Sequence, residues 1–180
     1  MTRIQGIARV AGIALLATSS AFAAQGAKPT NDQFIKEAIQ GNLAEVQVGQ
    51  LAQQKGTSQD VKNFGAKLVQ DHQAANQKAM EVAQQMNVTP PQQPSSKEKA
   101  TYEKLSKLSG EQFDRDFIQA MLKDHRHDVA QYKQEAQANG PAASYAKEIL
   151  PTLEEHLKMA EDAKRNEHIA NASGSMKKMQ

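Results

Sequence analysis

Four residues of this chain place a chemistry-bearing side chain on an otherwise apolar helical face: Glu45, His72, His125 and His156. His72 follows Leu68 by four residues and precedes Ala75 by three. It thus lies inside the stripe Val61, Phe64, Leu68, Val69, Ala75, Ala79, Val82, Ala83 and Met86. His125 interrupts the series Phe113, Phe117, Ile118, Met121, Val129, Tyr132 and Ala136, and His156 falls between Leu153 and Ala160. Glu45 stands between Ala38 and Ala52. An imidazole or carboxylate in a core must find a partner or cost stability. One solution is a metal: three imidazoles and one carboxylate suit zinc, copper or iron better than calcium or magnesium. The other is a hydrogen-bonded polar layer that fixes how the helices register.

Asp128, three residues after His125, is placed to orient that imidazole from behind, or is simply a solvated acid. Met121 and Met159 lie within a turn of His125 and His156. Thioethers there would favour copper(I), although methionine more commonly fills gaps in a core. His127 and His168 fall off the apolar stripes and read as surface residues.

The elements that must position these groups are helices, because the apolar spacing follows i, i+3, i+4, i+7. The first helix opens at the capping box Thr30-x-x-Gln33. It carries Phe34, Ile35, Ala38, Ile39, Val46, Gly49 and Ala52 and ends at Gly56. Gly49 inside a helix costs about 1 kcal/mol against alanine, which implies that a neighbouring helix approaches closely there. Thr57-x-x-Asp60 reads as the cap of the second helix, so the first two form an antiparallel hairpin. Pro90, Pro91 and Pro94 forbid helix over 87–96, and residues 97–108 add a short helix. Ser109-x-x-Gln112 reads as the cap of the third long helix. In Asn139-Gly140-Pro141, glycine stops one helix and proline starts the next. Pro151 should kink the last helix or delay its start.

The heights agree as well. His125 lies 15 residues before Gly140 and His156 lies 16 after it, while His72 is near the middle of its own helix. At about 1.5 Å per residue the three imidazoles are level to within a turn. Glu45 is about four residues, or ~6 Å, off that level.

Residues 1–23 read as an export signal cleaved near Ala23: Arg3 and Arg9, an apolar run over 10–17, then Ala21-Phe22-Ala23. The apolar run is too short to span a bilayer. Residues 24–30 form a polar leader, 31–168 a helical domain and 169–180 a flexible polar tail, with the helical pattern fading from about Asn166. The 22 basic residues against 20 acidic become balanced once the signal's two arginines are removed. Bulk charge therefore gives no support for nucleic-acid binding. No cysteine is present, so neither a disulfide nor a lipid-modified cysteine is available. The mature chain has no transmembrane segment, and the expected place is the periplasm or the medium, with an envelope protein as a possible kind of partner.

The segments GNLAEVQVGQLA, VKNFGAKLVQDHQ, FDRDFIQAMLKDH and ILPTLEEHL together resemble an exported bacterial ferritin-like family, domain of unknown function 4142. The resemblance spans Asp32 to Lys164. It implies an all-α, ferritin-like four-helix bundle with a long Pro-rich crossover between its second and third long helices, and no particular activity. Ferritin-like di-iron sites take Glu-x-x-His from two helices. Here Val69 precedes His72 by three and Leu153 precedes His156 by three, so both glutamates are missing.

No Gly-rich phosphate loop, G-x-S-x-G or H-E-x-x-H occurs, so the sequence names no catalytic residue and leans away from an enzyme. Three functions fit. The first is a non-catalytic envelope stress or interaction module. The second is a protein outside the cytoplasm that binds one zinc, copper or iron ion through Glu45, His72, His125 and His156. The third, a metal-dependent oxidase, is disfavoured by the missing glutamates.

Overall fold

The structure, a computed structural model, describes residues 30–177, with side chains as far as residue 167. The stretch read as an export signal, 1–23, and most of the expected polar leader lie outside these residues. Five helices and no strand are found among the described residues: α1 (Asn31–Lys55), α2 (Gln59–Gln85), α3 (Ser96–Ser106), α4 (Gly110–Glu135) and α5 (Pro141–Lys177). The four long ones carry the apolar stripes, and α3 is the short helix expected after the prolines. None is long and apolar enough to cross a membrane.

Local chemistry sets the ends. Thr30 accepts a hydrogen bond from the Gln33 amide, capping α1. The cap of α2 is Ser58, whose hydroxyl accepts from the Val61 amide, and not Thr57 as the spacing suggested. The Thr57 hydroxyl and backbone amide, with the Ser58 amide, instead donate to the buried Asp114 carboxylate of α4 at 2.6–2.9 Å. A carboxylate accepting from backbone amides makes a strong, charge-assisted tie, here pinning the α1–α2 turn to α4. Ser109 precedes α4 but makes no side-chain cap. The true capping box is at α3, where Ser95 and Glu98 serve each other reciprocally. Pro141 opens α5, which continues through Pro151 without a delayed start and runs to Lys177. It outlasts the expected end near Asn166.

α1 packs chiefly on α2 and α4 on α5, and α2 meets α5 to join the two pairs. The α1–α2 contact is backbone to backbone. A Cβ on Gly49 would stand 2.7 Å from the Gly65 carbonyl oxygen, and one on Gly65 would stand 2.6 Å from that of Gly49. The close approach expected at Gly49 is therefore made reciprocally by Gly65. Gly65→Ala should cost about 1–3 kcal/mol in denaturant unfolding, although alanine gains about 1 kcal/mol of helix propensity. Gly41→Ala, where the nearest atom is 3.9 Å away, should gain stability instead. A stabilising Gly65→Ala would show that the two helices are not in forced contact.

The core has two apolar parts. One contains Phe34, Ile35, Ala79, Tyr132, Tyr145 and Leu153. The other contains Val48, Phe64, Leu68, Phe117, Met121 and Ala160. Along each long helix the two parts are separated by a buried polar side chain: Asn42 and Glu45 on α1, His72 on α2, His125 on α4 and His156 on α5. A polar layer thus crosses the middle of an apolar core.

Candidate metal centre

The histidines were expected to lie level, and they meet. His72 is 4 % exposed and His125 and His156 are fully buried. One ring nitrogen from each lies within 4.8 Å of the other two. The ring centroids are 5.2–5.9 Å apart, and Phe64 closes the apolar side against His125 and His156.

The outward nitrogens decide what the inward ones present. His125 Nδ1 is 3.1 Å from the Met121 carbonyl, which can only accept, so this nitrogen carries the proton. His72 Nδ1 is 2.9 Å from Asn42 Oδ1. With Asn42 Oδ1 toward His72, its Nδ2 donates to the Tyr145 hydroxyl at 3.0 Å, and His72 Nδ1 is the donor to Oδ1. His156 Nε2 is 2.8 Å from Asp71 Oδ2, and Asp71 is paired with Lys67 at 2.9 Å. A carboxylate also only accepts, so His156 donates through Nε2. In a neutral imidazole one nitrogen is a donor and the other an acceptor. The nitrogens left as lone pairs are His72 Nε2, His125 Nε2 and His156 Nδ1. The last two are 3.2 Å apart, and His72 Nε2 is buried without any hydrogen-bond partner.

Burial keeps all three neutral. It pushes His72 well below its usual value, with the other two imidazoles adding to the effect. Burial and then His156 bring His125 down to about 4. Burial lowers His156 too, against the opposing pull of Asp71. Three lone pairs converging in a medium of low dielectric repel one another. A cation placed among them turns that repulsion into attraction.

Glu45 falls outside this set. It is 3 % exposed, and its carboxyl is held well above the usual range by burial and then by Asp124. Its Oε2 has no partner. The α1 residue that reaches His72 is Asn42, one turn earlier, as the offset in helical height would require. Asp128 does not make the expected contact with His125, whose Nδ1 donates to the Met121 carbonyl and whose Nε2 faces His156 Nδ1. Asp128 faces Asp124 and Glu98 instead, and burial among these acids raises its pKa well above the usual range. Met121 is buried and reaches His125 through its carbonyl, not its sulfur. His127 is exposed, and the His168 side chain lies outside the described ones.

Sequence reasoning missed Asn42, the Met121 carbonyl and Asp71. The signal for Asp71 was present in the Asp-His pair at 71–72. Neighbours on a helix point about 100° apart, so an acid beside one core histidine can face another helix, and Asp71 meets His156 of α5.

A family model described as Domain of unknown function (DUF4142) matches residues 16–163. Comparison with curated proteins gives no match. Among solved structures the chain is similar to the crystal structure of a DUF305 fragment from Deinococcus radiodurans. The TM-score is 0.67 at 17 % identity, over 76 % of this chain and 97 % of that one. At that identity the likeness speaks for the fold alone.

Proposed function

We propose that this chain, which belongs to the DUF4142 family, binds one transition-metal ion through His72, His125 and His156. The carrying observation is that one nitrogen of each imidazole comes within 4.8 Å of the other two, while each ring has a separate acceptor for its N–H. Carboxylate and carbonyl acceptors behind metal-bound histidines fix the tautomer and raise ligand basicity. The 3.2 Å between His125 Nε2 and His156 Nδ1 is close to the about 3.3 Å expected between nitrogens of a tetrahedral site with bonds of about 2.05 Å. One His72 nitrogen lies within 4.8 Å of the other two and completes the set by moving inward. Three nitrogen donors suit zinc or copper, and the fourth position is left to water or an exogenous ligand. Oxidase chemistry has little support, because no carboxylate joins the three nitrogens among the described residues.

The setting we propose is an exported protein, cleaved near Ala23, acting in the periplasm or the medium. Its long helices form a ferritin-like four-helix bundle in which the Pro-rich segment between α2 and α3 is the crossover. The three-histidine layer would then lie across the bundle at half-height. Balanced charge after signal removal argues against nucleic acid as a partner.

The test is isothermal titration of metal-stripped protein with zinc and with copper, repeated on His72→Ala and His125→Ala. One ion per chain is expected for the parent, with much weaker binding by both variants. Asp71→Asn should weaken binding about 10–100-fold, since the amide no longer supplies a charged acceptor to His156. A parent that binds no more tightly than the variants would leave the histidines as core structure, and the chain as a non-catalytic interaction module.

A further inference from the structure

We propose that the acid-lined cavity beside His72 is the route by which a hydrated divalent transition-metal ion reaches the three histidines. This rests on the metal-binding reading above and adds to it a path and the groups that build it.

The cavity has a volume of about 340 Å³ and lies between α1, α4 and the start of α3. Its wall grades from solvent to core. Lys97 is exposed, Gly41, Glu98, Asp124 and Asp128 are partly buried, and His72 is buried. The buried end therefore presents the imidazole whose Nε2 has no partner. Glu37 also lines it; burial favours the neutral form of Asp128, so Glu37, Glu98 and Asp124 supply the negative charge against one lysine. A cleft of one sign with low-dielectric walls concentrates counter-ions and raises association rates by about 10–10³. At about 30 Å³ per water molecule there is room for about ten, more than the six of a hydrated divalent ion. The carboxylates accept hydrogen bonds from the ion's waters, and the imidazoles replace those waters at the inner end.

Gly41 offers a steric test. A Cβ there would meet nothing nearer than Glu98 Oε1 at 3.9 Å, so a leucine can enter the cavity without forcing the helices apart. Glu98→Gln keeps a residue type that serves a capping box, and Glu37→Gln keeps the shape of the side chain. None of the three positions supplies a metal ligand.

The experiment mixes metal-stripped full-length chain with zinc in a stopped-flow instrument, in competition with a zinc-sensitive dye, at low and high salt. Circular dichroism confirms that each variant is folded. Glu98→Gln/Glu37→Gln should load about tenfold more slowly at low salt and lose most of the parent's salt dependence. Gly41→Leu should slow loading and release by the same factor, leaving Kd unchanged. All should reach the parent's final zinc content. Zinc uptake at the parental rate by both variants would overturn the route alone. Should Gly41→Leu not fold, the charge variant decides by the same criterion. A parent that takes up no zinc would overturn the metal-binding reading and the route together.

Discussion

Leu68→Ala should lower the free energy of unfolding by about 2–5 kcal/mol, toward the upper part of that range. Leu68 is fully buried, one turn before His72 on α2, in the part of the core that holds Val48, Phe64, Phe117 and Met121. The cost of such a truncation depends on how far the surroundings can relax into the space. Here α1 and α2 already touch at Gly49 and Gly65, and the Leu68 Cβ itself lies 3.1 Å from where a Cβ on Gly49 would stand. The helices cannot close further, so the cavity persists. Urea unfolding of parent and variant at pH 7 measures the difference. A loss below about 0.5 kcal/mol would mean that Leu68 is not in a packed core, since a buried leucine truncation costs several times that.

Acid should destabilise the metal-free protein through His125. Its folded pKa is held down to about 4, whereas the unfolded chain titrates near 6.5. Below about pH 6.5 the unfolded state takes up a proton that the folded state refuses, so stability falls as pH falls. The loss ends where the folded pKa is reached. Across that window His125 alone accounts for about 3 kcal/mol. His72 acts in the same direction. Glu45 and Asp128, with raised pKa values, act in the opposite one: their protonated folded forms favour folding at low pH, and that contribution is lost as pH rises. Comparison with His125→Gln cancels the contributions of Glu45 and Asp128 and leaves that of His125 together with its effect on His72. In the presence of a chelator, the parent should lose about 3 kcal/mol more than the variant between pH 7 and pH 4. Parallel stability profiles would show that the buried imidazole is not held neutral.

What could be read from the sequence was whatever depends on one helix at a time. The stripes around His72, His125 and His156 gave their burial, and counting from Gly140 gave their common height. What depends on which helix faces which was not legible. Glu45 and Asn42 share the buried side of α1 one turn apart, and only the register of α1 against α2 determines that Asn42 meets His72. Asp71 looks like a flanking acid until α5 brings His156 against it. Thr57 and Ser58 are equally good caps by type. The Asp114 carboxylate, from a distant part of the chain, claims Thr57 and leaves Ser58 to α2. Gly65, like Gly49, is a glycine inside a helix, but that the two stand opposite each other appears only in the packing of α1 on α2.

The central claim is that three imidazole lone pairs meet at one point able to hold a metal. X-ray absorption at the zinc edge, on protein loaded with one equivalent, addresses it most directly. The expected spectrum is that of three imidazole nitrogens at about 2.0 Å with one further light atom, and it should change on His125→Gln. A shell of oxygen ligands, or fewer than two imidazoles, would contradict the assignment and place the metal elsewhere on the protein.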